Sequence, residues 1–208
     1  SVVYNIPGAF RAGPSMDPEL LAAAVDELAA RHEILRTTFL VRDGELRQCV
    51  HPPHPDRVEK KRMNWSEAPD ADQRLADLLE GEAQIPFDLE NGPLFRIKFV
   101  SMPSGERIVI YTLHHIIADG WSMQNLLNEL ALLYHDLEQG KMSSLPPLAI
   151  QYKDYSAWLQ QQLTGENLNT HRQYWKARFA GDIPVLDLPA DRPRPPVKTY
   201  KGAGYSLM

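Results

Sequence analysis

Residues 107–139 constrain the fold of this chain most. Residues 107–113 are dense in β-branched and aromatic side chains and read as a strand. His114-His115-Ile116-Ile117-Ala118-Asp119-Gly120 follows directly. Residues 122–139 then set Leu126, Leu127, Leu130, Leu133 and Leu137 along one helical face, with Gly140 as the stop. A strand that runs through a tight Asp-Gly turn into a long amphipathic helix requires an α/β layer, and it presents the side chains of the junction at the edge of that layer.

The flanking segments extend this pattern. Asp17-Pro18-Glu19 opens a helix: Asp17 suits the cap, Pro18 the first turn and Glu19 the positive dipole end, and the run continues to about residue 32. Residues 37–41 and 46–50, separated by Asp43-Gly44, predict a hairpin that the prolines of 51–55 terminate. A helix is expected over 70–84, with Leu75, Leu78 and Leu79 as its apolar stripe, and a strand over 94–100. Two more helices are expected over 153–163 and 169–179. Prolines cluster between Pro184 and Pro196, so 184–208 reads as an extended crossing segment, with 200–208 as the start of a further strand. This mixture predicts an α/β (α+β) sandwich: a mixed β-sheet with helices packed on one face.

Composition excludes several classes. With 208 residues, 43% of them hydrophobic and 24% charged, the chain can bury a core without disulfides or metals. A net charge of -5 gives no reason to expect nucleic acid or an anionic membrane surface. No apolar run approaches the ~20 residues that span a bilayer, and no signal peptide opens the chain. Cys49 is the single cysteine, which rules out an internal disulfide and fits a reducing, cytoplasmic compartment. Its place in a strand predicts a buried, inert thiol. Neither G-x-G-x-x-G nor G-x-x-x-x-G-K-[ST] occurs, so dinucleotide and P-loop readings have no support. Residues 1–6 read as the middle of a domain whose start lies upstream.

The paired histidines carry the chemistry. Neighbours on a strand point to opposite faces, so one imidazole is expected in the core and the other in a cleft. Imidazole titrates near neutral pH and serves as a proton acceptor there. Asp119 could orient a histidine or bind an arginine and stiffen the turn, and Gly120 permits close approach. From spacing alone three readings stay open: a catalytic base, a structural pair, and a metal pair.

Three stretches resemble the condensation domains of nonribosomal peptide synthetases. His114-His115-Ile116-Ile117-Ala118-Asp119-Gly120 matches H-H-x-x-x-D-G, Arg31-His32-Glu33-Ile34-Leu35-Arg36-Thr37-Thr38-Phe39 matches R-H-E-x-L-R-T-x-F, and Tyr152-Lys153-Asp154-Tyr155-Ser156-Ala157-Trp158 matches Y-x-D-[FY]-[AS]-x-W. Weaker matches lie at 87–96 and 188–195. The resemblance implies a chloramphenicol-acetyltransferase-like lobe over 1–183, with 184–208 leading toward a C-terminal lobe absent from this sequence. It implies amide formation between a donor aminoacyl or peptidyl thioester and an acceptor aminoacyl thioester. No cofactor or metal is expected in the domain itself. Phosphopantetheine arms are delivered by upstream and downstream peptidyl carrier proteins, with an adenylation domain adjacent.

By the same resemblance His115 faces the reaction tunnel and His114 is structural. Asp119 holds the loop through a salt bridge to Arg36 or, second, Arg31. Gly120 admits the acceptor arm or offers its amide, and Tyr152, Asp154 and Trp158 pack beneath the site. Trp121 either lines the tunnel or is a core aromatic. Three alternatives are an epimerisation domain, a CoA-dependent acyltransferase of the same superfamily, and a non-catalytic module that recruits carrier proteins or other partners.

Overall fold

The computed structural model describes residues 2–186, 188–190, 192–193 and 196–197. Packing divides the chain into two compact units, one ending at Tyr155 and one beginning at Ser156. The expected strand at 200–208 lies outside the described residues.

In the first unit, β1 (Asn5–Ala12), β4 (Glu59–Asn64), β5 (Phe95–Ser101) and β6 (Arg107–His114) form a sheet in the order β1-β6-β5-β4. β6 is antiparallel to both β1 and β5, while β4 runs parallel to β5, so the sheet is mixed as expected. β2 (Thr37–Arg42) and β3 (Glu45–Val50) form the separate hairpin that Asp43-Gly44 forecast. Both turn residues adopt positive φ, 55° and 77°, the geometry that lets a two-residue turn follow the strand twist.

Alternation along the two central strands sorts their side chains onto two faces. Phe95, Ile97, Phe99, Val109 and Leu113 join one core cluster with Leu21, Val25 and Leu28 of α1 (Pro18–Arg31) and Leu126, Leu130 and Leu133 of α3 (Gly120–Glu138). Val100, Ile108 and Ile110 alternate with these and meet Ala71 and Leu75 of α2 (Ala71–Glu82). Helices on one face describes α1 and α3; α2 adds a partner on the opposite face.

Local signals act as the sequence suggests. The Asp17 carboxylate caps α1 by accepting from the amides of Glu19, at 2.7 Å, and Leu20, at 3.4 Å. Cys49 is free and half-buried, less enclosed than expected, because β3 pairs only with β2 and lies outside the main sheet. α4 (Tyr152–Gln162) leads into the second unit, where α5 (Gly165–Arg178) follows. There Trp175 stacks on Phe179 at 5.6 Å with both rings more than half exposed.

Candidate active site

The histidine segment sits where β6 ends and α3 begins. His114 is the last residue of β6 and is 8% exposed; His115 opens the following turn and is exposed. One imidazole lies inward and the other outward, but the split arises from the turn and not from the expected strand alternation, because the strand stops before His115.

The His114 ring builds that turn. Its Nδ1 accepts the Ile116 amide at 3.1 Å, and its carbonyl accepts the Ile117 amide at 3.0 Å. An Nδ1 that accepts is unprotonated, so the ring is neutral with its proton on Nε2. Burial lowers the His114 pKa, and the neighbouring His115 lowers it further, which favours this neutral form. His115 is anchored through its backbone, its amide donating to the Tyr4 carbonyl at 2.7 Å.

Asp119 caps α3. Its carboxylate accepts the Ser122 amide at 2.8 Å, while Ser122 Oγ accepts the Asp119 amide at 2.7 Å, a reciprocal capping box. The cap starts the helix at Gly120, two residues ahead of the expected start. The hydrogen bonds from Ser122 hold the Asp119 pKa below the usual carboxylate range, leaving a fixed anion that is a poor proton acceptor near neutral pH.

The expected salt bridge from Asp119 to Arg36 or Arg31 does not form. Arg36 donates to the carbonyls of His51 and Ala30. Arg31 pairs with the Glu129 carboxylate through Nε at 3.0 Å and donates to the Pro146 carbonyl at 2.6 Å. His32 Nε2 meets the same carboxylate at 2.5 Å. Gln151 closes this group by donating to the Arg31 carbonyl at 2.9 Å and accepting the Glu33 amide at 3.1 Å. Both arginines thus brace α1 against α3 and the 140–151 loop or the β2–β3 hairpin. Ser122 does the work assigned to them.

Gly120 adopts no left-handed conformation, and a Cβ built on it meets nothing within 4 Å. The space over Gly120 at the start of α3 is therefore open. Trp121, next along, is 83% exposed, so it is no core aromatic. Tyr152 is about half exposed, and Asp154 accepts the Gln151 amide at 2.9 Å at the start of α4, so Asp154 acts as a local cap.

Sequence reasoning missed a buried polar cluster beside His114. Glu82 forms ion pairs with Lys98 and, at 3.9 Å, with Arg96; the three are 2%, 8% and 5% exposed. The Arg96 guanidinium lies 3.8 Å over the Phe87 ring, and Phe87 meets the His114 ring edge-on at 6.0 Å. Among the described residues, no cluster of three or more His, Cys, Asp or Glu is arranged to hold a metal ion, and no helix is long and apolar enough to cross a membrane.

At this junction an exposed imidazole stands where a strand turns into a helix. Comparison with known proteins identifies the family. The condensation domain family profile matches residues 1–208, and the chain belongs to that family. A linear gramicidin synthase protein of Brevibacillus parabrevis is 41% identical over 210 residues, covering 100% of this chain and 3% of that protein. The X-domain from teicoplanin biosynthesis, in its complex with OxyB, is 31% identical with a TM-score of 0.76, covering 92% of this chain and 42% of that one. The epimerization domain from the third module of tyrocidine synthetase B shares the fold at a TM-score of 0.80 and 20% identity, over 91% of this chain and 43% of that one. The chain therefore spans only a small part of the synthetase it matches and under half of these solved domains.

Proposed function

We propose that this chain supplies the histidine-bearing wall of a site that forms amide bonds in nonribosomal peptide synthesis. One observation carries the reading: within the segment 114–120, His115 alone presents an exposed imidazole, while His114 and Asp119 are committed to holding the turn. In the reaction the α-amine of the acceptor attacks the thioester carbon of the donor. The new C–N bond forms, the C–S bond breaks, and the donor phosphopantetheine thiol leaves with the proton the amine gives up. Because a thioester is already activated, the main requirement is to hold the two arms together. His115 contacts the amine, and the open side of Gly120 gives the acceptor arm room to approach. Carrier proteins upstream and downstream deliver the arms, and an adenylation domain nearby charges them in the cytoplasm. On this reading a second lobe supplies the facing wall.

A second reading draws on the teicoplanin X-domain, which has been solved with OxyB. A chain of this kind could recruit a partner enzyme and catalyse nothing. The presence of His115, Asp119 and Gly120 together favours the first reading.

Intact-protein mass spectrometry separates the two. The full-length protein is supplied with a donor-loaded and an acceptor-loaded carrier protein. Amide product on the downstream carrier, absent with His115→Ala, supports the first reading. Carrier binding with no product from any cognate pair contradicts it.

A further inference from the structure

The cluster beside His114 suggests a second set of residues that the reaction depends on. Asn5 Nδ2 donates to the carbonyls of Ala83 and Ile85, both at 2.9 Å. Arg96 donates to the Ile85 carbonyl at 3.0 Å and to the Pro86 carbonyl at 3.4 Å. Lys98 holds Glu82, the last residue of α2. Strands β1 and β5 thereby fix the 83–87 segment from two sides. Phe87, at the end of that segment, lies under the Arg96 guanidinium and meets the His114 ring in a T-shaped pair. A buried cation over an aromatic face is favourable, and it holds the ring in one orientation.

We propose that Arg96 and Phe87 are positioning residues for the reaction: Arg96 fixes the Phe87 ring against His114, and His114 in turn shapes the turn that presents His115. This rests on the reading of His115 as the residue that meets the amine. Neither Arg96 nor Phe87 touches substrate; they act through the bonds from His114 to the amides of Ile116 and Ile117. The groups facing the His114 ring are Phe87 with Arg96 behind it, the Tyr4 ring at 6.0 Å, and His115. A smaller side chain at 87 lets the ring tilt and admits water. The Ile116 amide then loses its fixed acceptor.

The test uses the full-length protein with loaded carriers and three variants, Phe87→Leu, Phe87→Tyr and Arg96→Met. Hydrogen exchange by mass spectrometry reads the peptide covering 114–120 without reference to activity. In Phe87→Leu that peptide is expected to exchange on the order of tenfold faster while peptides from α1 and α3 keep their parent rates. Amide formation is expected to fall about tenfold in kcat, with KM for both carriers within about twofold, because the lost quantity is geometry at the reacting atoms. The acid limb of the rate profile is expected to move to higher pH, since hydration returns His114 toward its ordinary pKa. Phe87→Tyr restores all three. Should Arg96→Met fail to fold, Phe87→Leu leaves the ion cluster intact and decides the matter. Parent-like exchange at 114–120 overturns the proposal, as does faster exchange spread through the core, or faster local exchange with parent kcat. A parent protein that forms no amide defeats the functional reading, and the exchange data then still decide whether Phe87 shapes the turn.

Discussion

The outer face of the sheet is apolar at one end and charged at the other, although one helix covers both. At the far end Val100 pairs with Ile108, and Ala71 and Leu75 of α2 close over them. At the end nearest His115, Arg96 pairs with Thr112, and the last residue of α2, Glu82, is buried against Lys98 and Arg96. The first half is explained by burial alone. The second takes three charges out of water in a setting where apolar residues of similar volume would serve stability as well or better. What the charged half adds is fixed geometry in the 83–87 segment that bears on His114.

The largest expected effect comes from unbalancing the charged half. Glu82→Ala leaves two buried cations without their carboxylate and should cost about 3–5 kcal/mol in urea unfolding. Ile108→Val, at the apolar half, should cost only about 0.5–1.5 kcal/mol. Equal losses at the two sites would erase the contrast. Replacing the whole triad (Glu82→Leu, Lys98→Met, Arg96→Met) sharpens it. Stability should stay level or rise by about 1–4 kcal/mol, while amide formation falls because Phe87 is no longer held by Arg96.

Effects at the site itself are smaller. Asp119→Ala removes the α3 cap and should cost about 1 kcal/mol, measured as a lower unfolding midpoint. The mildest is a pH effect. His114 has a lowered pKa in the folded protein, so the unfolded chain binds more protons just below pH ~6.5. Stability from this group is fully present above that pH and is lost as pH falls toward the folded pKa. His51, lowered by burial and by Arg57, contributes with the same sign. A His114→Asn variant should therefore show a flatter decline below about pH 6.5 than the parent. An unchanged slope would mean that His114 titrates alike folded and unfolded.

Much of the fold could be read in the sequence where a local rule governs it. Asp17-Pro18 placed the start of α1, Asp43-Gly44 placed the hairpin turn, and the leucines of α3 placed its buried face. β1 and β4 were not legible, because both lie at the ends of the strand order, where ordinary strand signals weaken. β1 contains Pro7 and Gly8, which read as punctuation. The Tyr111 ring occupies the space a Gly8 side chain would need, and no pattern within β1 announces that. β4 carries Lys60-Lys61-Arg62 and reads as a solvated charge run, yet Lys60 pairs with Asp26 of α1.

Within the site, His115 was singled out only by the family resemblance, since the spacing of the paired histidines left a base, a structural pair and a metal pair open. The partners of Arg31 were not, since Glu129 lies 98 residues away. Arg96 and Lys98 alternate with apolar residues and so imitate a strand with one wet face. Only the arrival of Glu82 from α2 shows that this face is buried.

The central claim is that the turn presents His115 to the reaction while its neighbours hold the turn. Single-turnover amide formation by His115→Ala, with urea unfolding measured in parallel, tests it most directly. The account expects the rate to fall about 10²–10⁴-fold while the unfolding midpoint and carrier binding stay at parent values, since the His115 side chain is exposed. A folded His115→Ala protein that forms product at the parent rate would contradict it.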